Sequence, residues 1–310
     1  MQLLIPYAHV NDTPCAQAAL SLQLPHLAQL LRAMTLMETI KGSAQDLSPP
    51  HEILLARALG LTPSDGRIPW AALDRVRSGQ PADNIARAWL TPAHWQIGVG
   101  HILMRDPLAL DLQETESRTL MQAMAPYFEQ DGLTLAYQES GRWLVSGEPL
   151  ADLASASLDR VLGVDISPWM PATPALRRLQ NEMQMLLYTH PVNDERAARG
   201  QQPVNSFWIH GSGRYIGPAP TTPASASIVA DDLRLPALQG DWAQWTSAWH
   251  QVDQGACSKL LAELQAGRPA SLVLCSERHA LVFEKRPAGW VERLRRRFNT
   301  ASLQQYAPLL

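Results

Sequence analysis

The segment from Asn181 to Arg214 constrains the fold of this chain more than any other stretch of its sequence. It reads NEMQMLLYTHPVNDERAARGQQPVNSFWIHGSGR and joins apolar residues at helical spacing, two internal prolines and a glycine-rich end. His190-Pro191 ends the first helix, because a residue that precedes proline is pushed out of the α region. Two helices followed by a strand in so short a stretch predict a fold that mixes helices with a sheet.

Polar residues and glycines stand where this segment turns. Asn193 is expected to cap a short helix over residues 194–199, which Gly200 ends in the left-handed conformation. Residues 205–209 alternate between two faces and predict a strand. The run Gly211-Ser212-Gly213 beside Arg214 then predicts either a cradle of backbone N–H groups for an anion or a plain glycine turn.

The rest of the chain alternates helical patterns with short strand patterns. Helices are expected over residues 14–37 with a break at Pro25, 51–59, 70–76, 83–89, 114–129, 171–188, 241–250, 256–264 and 290–298. Strands are expected over residues 3–8, 95–104, 133–137, 142–145, 271–275 and 280–285. This order favours an α/β or α+β fold with a mixed β-sheet flanked by helices. The irregular stretch at 151–172 divides it into lobes 1–150 and 151–310, unless both form one continuous domain.

Composition narrows the function classes. A length of 310 residues suits one large domain or two ordinary ones, and a net charge of −3 gives no general attraction to nucleic acid or anionic membrane. Three widely spaced cysteines argue against a disulfide framework or a CxxC metal site and fit a reducing cytosol. With no signal-peptide pattern and no apolar run of about 18 residues, a cytoplasmic protein without a membrane span is expected.

Two smaller patterns favour packing over chemistry. Trp242, Trp245 and Trp249 recur at helical spacing, which favours a core stripe and leaves a docking surface as the alternative. Cys257 and Cys275 have no histidine placed beside them in the sequence, so both are expected to be buried thiols.

The spacing of the central segment resembles a known family motif. His190, Pro191, Val192, Asn193, Arg196, Gly200, Pro203 and Asn205 fit the pattern HPVN-x-x-R-x-x-x-G-x-x-P-[AV]-N. This pattern resembles that of the archaeal-type cofactor-independent phosphoglycerate mutases of the alkaline phosphatase superfamily. Over its length the chain also resembles the RpfE-type bacterial regulatory proteins, through stretches such as LSPPHEILLARALGL at 47–61 and TESRTLMQAMAPYFEQDGLTLAY at 115–137. The resemblance implies a reduced alkaline phosphatase-like fold.

The chain departs from the mutases where their chemistry is carried out. The mutases resemble one another in a two-metal site of Asp and His with a Ser or Thr nucleophile, and an Asp-Gly pair after the first strand supplies one ligand. Here that strand runs into Pro6-Tyr7-Ala8-His9, and a later Asp-x-x-Gly-His element is absent. Asp65-Gly66 and Asp131-Gly132 are predicted to be turns. The resemblance therefore implies a scaffold without catalytic residues, metal ligands or a cofactor.

The first hypothesis is a cytosolic regulatory or interaction protein related to the mutase-like proteins. Its partners would be a phosphorylated or anionic small ligand, or another protein, with Arg196 or Arg214 pairing the anion. The predicted residues for ligand binding or structural anchoring are Asn181, Glu182, His190, Asn193, Arg196, Asn205, Gly211, Gly213 and Arg214.

Two alternatives stay open at this point. One is a phosphoryl-transfer enzyme of phosphomutase type, with an unconventional Mn²⁺ or Mg²⁺ site drawn from His94, His101, Glu114, Glu116 and His190. The other is a nucleic-acid accessory factor that uses the basic cluster Arg293, Arg295, Arg296 and Arg297. The net charge of −3 makes the second the weaker of the two.

Overall fold

The computed structural model describes residues 1–218, 227–285 and 302–310, which form two compact units. Unit 1 contains residues 1–44, 49–61 and the described part of the chain beyond 221; unit 2 contains residues 45–48 and the described part of 62–221. The chain therefore does not divide at the expected boundary near residue 150. The first strand pairs with strands that begin at Ser227 and Ser271, so unit 2 is an insertion within the sequence of unit 1. The predicted terminal helix at 290–298 lies outside the described residues.

The elements are named in chain order. The strands are β1 (Gln2–Ile5), β2 (Thr35–Lys41), β3 (Arg87–Ala93), β4 (Trp95–Ile97), β5 (Ile102–Met104), β6 (Thr134–Glu139), β7 (Arg142–Ser146), β8 (Ser206–Gly213), β9 (Ser227–Val229), β10 (Ser271–Cys275) and β11 (His279–Glu284). The helices are α1 (Thr13–Leu20), α2 (Pro25–Ala33), α3 (Pro50–Ala58), α4 (Trp70–Arg77), α5 (Glu114–Gln130), α6 (Leu158–Val161), α7 (Pro174–Tyr188), α8 (Pro191–Ala198), α9 (Arg234–Gln239), α10 (Trp242–Val252), α11 (Ser258–Gln265) and α12 (Leu303–Tyr306).

Unit 1 is built on a mixed five-stranded sheet with the order β2-β11-β10-β1-β9. β1 runs parallel to β9 and β10, whereas β11 is antiparallel to both of its neighbours. The expected strands β1, β10 and β11 are confirmed. The helix expected to reach Met37 ends at Ala33, and the residues that follow form the edge strand β2. That part of the prediction was wrong, because β2 is fixed by pairing with a strand more than two hundred residues later in the sequence.

Apolar side chains fill the core of unit 1. Leu3 and Ile5 of β1 pack with Leu272 and with two tryptophans of α10, Trp245 and Trp249, which are fully buried. The two indole rings meet edge to face with centroids 6.1 Å apart. The tryptophan stripe is therefore core packing, as the sequence favoured.

One buried carboxylate fixes helix α2 in unit 1. A π-helical turn, Asp253–Cys257, joins α10 to α11, and Asp253 is 1% exposed. Its oxygens accept the backbone N–H groups of Leu27 at 2.7 Å and His26 at 3.3 Å, and one lies 3.0 Å from His26 Nδ1. α2 has no side-chain cap of its own at Leu24, so this distant carboxylate satisfies the free N–H groups at its start.

Unit 2 is built on an antiparallel sheet with the order β6-β7-β3-β8. The expected hairpin β6–β7 is confirmed. The helix expected over 83–89 is wrong, because Arg87–Ala93 forms β3 between β7 and β8. The single bulged strand expected over 95–104 is instead a small hairpin, β4–β5.

Helices α5 and α7 cover one face of the unit 2 sheet. Phe128 of α5 meets Phe207 of β8 with ring centroids 5.4 Å apart, and Trp143 and Met183 are fully buried beside them. The α/β class with a mixed sheet and flanking helices is confirmed, while a reduced alkaline phosphatase-like fold stays a prediction. None of the described helices has the length and apolar character needed to cross a bilayer.

Candidate functional site

The predicted site lies in unit 2, where α7 gives way to α8. His190 is the N-cap of α8, and its Nδ1 accepts the N–H of Val192 at 3.2 Å. α8 starts at Pro191, the favoured position for proline in a helix, so Asn193 lies inside the helix and is not its cap. The predicted start of the helix at residue 194 was therefore wrong, and the Asn193 side chain does not cap the helix.

Asn193 joins three pieces of backbone. Asn193 is buried, with 6% of the residue exposed. Nδ2 donates to the carbonyl oxygens of Leu187 at 2.8 Å and Val204 at 2.7 Å, while Oδ1 accepts the N–H of Val204 at 2.9 Å. One amide thus ties the end of α7 and the approach to β8 to helix α8, with both of its N–H donors and its oxygen engaged.

Arg196 is the most deeply buried charge of the segment, with 0% exposure. Its Nε donates to the Gln202 carbonyl at 2.8 Å, and one terminal nitrogen donates to Glu116 Oε2 at 2.6 Å. The other terminal nitrogen donates to the carbonyl of Leu110. Glu116, which is 11% exposed at its side chain, also accepts from Arg199. The guanidinium is therefore paired on every side within the protein.

Asn205 extends the same pattern to the small hairpin. Its Oδ1 accepts the N–H of Trp95 at 2.7 Å, and its Nδ2 donates to the carbonyl of Trp95 at 2.9 Å. This pair of bonds reproduces those that a neighbouring strand would make. His94 donates from Nδ1 to the carbonyl of Pro203 at 2.9 Å, so the turn before β8 is held from both sides.

The glycines at the end of the segment belong to a strand. β8 continues to Gly213, which pairs with Arg87, and the register shifts between Arg87 and Trp89. Gly211 has a φ of 65°, and a Cβ there would lie 3.1 Å from Trp70 Cβ and 3.2 Å from Trp89 Cε3. The glycine loop expected after residue 209 is therefore a β-bulge in close contact with two tryptophans.

The remaining predicted residues lie toward the surface. Asn181 is exposed on α7, and Glu182 lies 3.5 Å from Arg178 one turn earlier. Arg214, at the end of β8, donates to the carbonyl of Asn84 and to the carboxylate of Glu148. These three residues do not meet the buried group formed by Asn193 and Arg196.

The residues of the alternative metal site are held separately. His101 donates to the carbonyl of Val99 at 3.2 Å, and Glu114 pairs with Arg118 at 2.7 Å. Glu116 is engaged by two arginines, as described above. Across residues 1–218, 227–285 and 302–310, no three His, Cys, Asp or Glu side chains are grouped to hold a metal ion. The arginine cluster at 293–297 lies outside the described residues.

A buried thiol, Cys15, and an imidazole, His9, follow β1 in unit 1. His9 Nδ1 lies 3.8 Å from Cys15 Sγ, which also accepts the N–H of Val10 at 3.3 Å. Burial lowers the pKa of His9 and raises the pKa of Cys15 to about 11. Burial raises the pKa of Cys257 and Cys275 as well. The thiols are therefore protonated at neutral pH, as expected of packed cysteines rather than nucleophiles.

The outer face of the unit 2 sheet, away from α5 and α7, was missed from the sequence. The pairing register aligns Ala136, Leu144, Trp89 and His210 in one row across the four strands. Arg142 Cζ lies 5.2 Å from the centroid of the Trp89 indole, and the His210 ring lies 5.5 Å from it. Because residues 83–89 were expected to be helical, no strand face could be assigned to Trp89.

Comparison with known proteins identifies no family for this chain and shows weak similarity to solved structures. The chain matches no family model, and no curated protein matches it. It is similar to the solved structure of a cofactor-independent phosphoglycerate mutase from Thermoplasma acidophilum, at 12% identity and a TM-score of 0.37, over 91% of this chain and 88% of that one. It is also similar to the PH0037 protein from Pyrococcus horikoshii, at 12% identity and a TM-score of 0.44, over 95% and 92%. Similarity at these levels assigns neither a fold family nor an activity.

Proposed function

We propose that the protein is a regulatory or interaction protein in which the 181–214 segment anchors the fold of unit 2. The observation that carries this proposal is the environment of Arg196, which is fully buried and paired with Glu116 and two backbone carbonyls. A phosphate that took Arg196 would leave those carbonyls without this donor and would leave Glu116 with only Arg199 and the N–H of Gln113. Removing one partner of a buried ion pair costs about 3–5 kcal/mol.

The same reasoning covers Asn193 and Asn205. Asn193 supplies partners for the backbone of Val204 in the irregular stretch before β8, and Asn205 does so for the backbone of Trp95 in β4, since buried N–H and C=O groups require hydrogen bonds. The motif that resembles the mutases therefore serves here as an internal brace. We further propose kinship with the RpfE-type regulatory proteins, a cytoplasmic location and a phosphorylated or anionic partner, on the sequence resemblance and composition.

Two assays test the proposal together. Purified protein is incubated with 3-phosphoglycerate and either Mn²⁺ or Mg²⁺, and the formation of 2-phosphoglycerate is followed; metal content is measured on the same sample. We expect no turnover and no stoichiometric metal. Turnover that is lost in Arg196→Met while the variant keeps its folded circular dichroism spectrum would contradict the anchoring role.

Glu116→Gln supplies the matched variant. It removes the charge that pairs with Arg196 but keeps an acceptor oxygen at the same place. Under the proposal, its loss of stability is smaller than that of Arg196→Met and its chemical activity is no different from that of the wild type. A substrate-binding arginine would instead make Glu116→Gln bind the anion more tightly.

A further inference from the structure

The outer face of the unit 2 sheet carries an arginine whose charge is positioned but only partly paired. Arg142 is 40% exposed at its side chain, and its Nε lies 3.1 Å from Glu139 Oε1. Despite that distance, Nε is buried without a hydrogen-bond partner, and among the described residues no hydrogen bond engages the two terminal nitrogens. By contrast, both terminal nitrogens of Arg87 donate to a carboxylate, and those of Arg196 donate to a carboxylate and a backbone carbonyl. Arg142 thus presents the fork that binds carboxylate or phosphate in bidentate fashion.

Trp89 holds this guanidinium in place. The Cζ of Arg142 lies 5.2 Å from the indole centroid, within the range of a cation–π contact. The bulge at Gly211 brings backbone against the indole, since a Cβ there would lie 3.2 Å from Trp89 Cε3. A ring fixed by its own strand and by the bulge restricts the arginine that lies over it, which lowers the entropy cost of binding an anion.

The neighbouring positions leave room for a flat apolar group. Ala136 and Leu144 lie in the same row as Trp89, and the next row places Thr134 and Ser146 beside them. Ala136 and Thr134 are exposed, whereas Leu144 and Ser146 are half-buried. Ala136 and Leu144 therefore form a small apolar patch beside the charged fork, and the hydroxyl-bearing Thr134 and Ser146 border it.

We propose that this outer face, centred on Arg142 and Trp89, binds an oxyanion carried on a planar ring. Arg142 pairs the phosphate or carboxylate, and the ring lies on Leu144 and Ala136 next to the indole. The inference deepens the proposed function by naming the surface for its anionic partner. It does not involve Asn193 or Arg196, so its failure leaves the anchoring role of the 181–214 segment untouched.

Arg118 provides a matched control. It too lies over an aromatic ring, 3.7 Å from the centroid of Tyr137, and it pairs through Nε with an exposed glutamate, Glu114. Its side chain is 48% exposed, close to the value for Arg142. It belongs to α5, on the helix-covered side of the sheet. It differs from Arg142 in its place in the fold, in lying closer to its ring and in making a hydrogen bond through Nε.

The test follows the indole N–H signals of the ten tryptophans by NMR in a buffer without phosphate. Trp89→Phe assigns the Trp89 signal, and the full chain is titrated with phenyl phosphate, benzoate, phenol and inorganic phosphate. We expect saturable movement of the Trp89 signal with phenyl phosphate or benzoate, and the tighter of the two identifies the anion. R142Q should weaken that binding about tenfold or more, because a charge-assisted bidentate contact is lost, and R118Q should not.

Several results would overturn the proposal. These are the absence of a saturable Trp89 shift with either aryl anion, equal binding by R142Q and the wild type, or equal binding of inorganic phosphate and phenyl phosphate. R142K keeps the charge but loses the fork, and it should bind more weakly than the wild type. Unchanged signals of the other tryptophans in R142Q show that the variant is folded, so loss of binding is then specific.

Discussion

The two units hold their helices by different means. In unit 1, apolar side chains such as Leu3 and Trp245 fill the core, and one buried carboxylate, Asp253, fixes the start of α2. In unit 2, a buried guanidinium and two amides hold α8 and the irregular chain before β8. A packed helix can rely on its own backbone bonds, whereas an irregular stretch needs side chains to satisfy its backbone. The conspicuous polar motif therefore marks the less regular region.

Arg196→Met is expected to lower the stability of unit 2 more than any other variant proposed below. It removes the buried charge that pairs with Glu116 and the donor to the carbonyls of Leu110 and Gln202, so we expect the free energy of unfolding of unit 2 to fall by about 3–5 kcal/mol. Urea denaturation followed by circular dichroism measures the loss. Arg199→Met, at the exposed partner of the same carboxylate, should cost about 1 kcal/mol or less. Equal losses in the two variants would contradict the burial argument.

Asn193→Ala tests the amide in the same region. Removing the side chain leaves the backbone of Val204 and the carbonyl of Leu187 unpaired in a buried place, and we expect a loss of about 2–3 kcal/mol. Asn181→Ala, on the exposed face of α7, should change stability by about 0.5 kcal/mol or less. If both variants lose the same amount of stability, the Asn193 side chain does not anchor this region.

Asp253→Ala makes the corresponding change in unit 1. It removes the acceptor at the start of α2, and loss of a helix cap costs about 0.5–2 kcal/mol. The exposed Asp232→Ala serves as the control and should be nearly neutral. The comparison between units is sharpened if amide exchange rises in α2 of Asp253→Ala but stays unchanged in α8. A rise in α8 would show that the two regions are not held independently.

The smallest expected effect is a change in the stability of unit 2 at low pH, through the carboxylate of Asp83. Hydrogen bonds from Arg87 lower the pKa of Asp83 to about 2, from the usual 3.8. Because the folded pKa lies below the unfolded one, this carboxylate stabilises unit 2 fully above about pH 4, and the contribution is lost as pH falls toward 2. The difference in urea midpoint between the wild type and Asp83→Asn should therefore shrink between pH 5 and pH 2.5. A difference that stays constant would argue against the lowered pKa.

Local patterns in the sequence predicted most of the fold. The hairpin β6–β7, helix α5 and the tryptophan stripe of α10 are governed by spacing and turn residues, and each is confirmed. β2 and β3 were missed because both are fixed by distant partners. Pro92 shows why β3 could not be predicted from local sequence, because proline is rare inside sheets. It lies at a position of β3 that pairs with β8 alone, where the missing N–H is tolerated.

The candidate site was predicted in part. The sequence identified Asn193, Arg196 and Asn205 as unusual, and they do lie in one region of unit 2. It could not show that Glu116, eighty residues earlier, pairs with Arg196, since no local pattern links them. The row through Trp89 escaped notice for a similar reason, because a sheet face exists only after the strands are paired in register.

Amide hydrogen exchange in Asn193→Ala tests the central claim most directly. If the motif braces the fold, the amide of Val204 and those of α8 exchange faster than in the wild type, while β1 and β10 keep their protection. Exchange that is unchanged throughout unit 2, combined with lost binding of an anionic ligand, would contradict the account and return this segment to the role of a binding site.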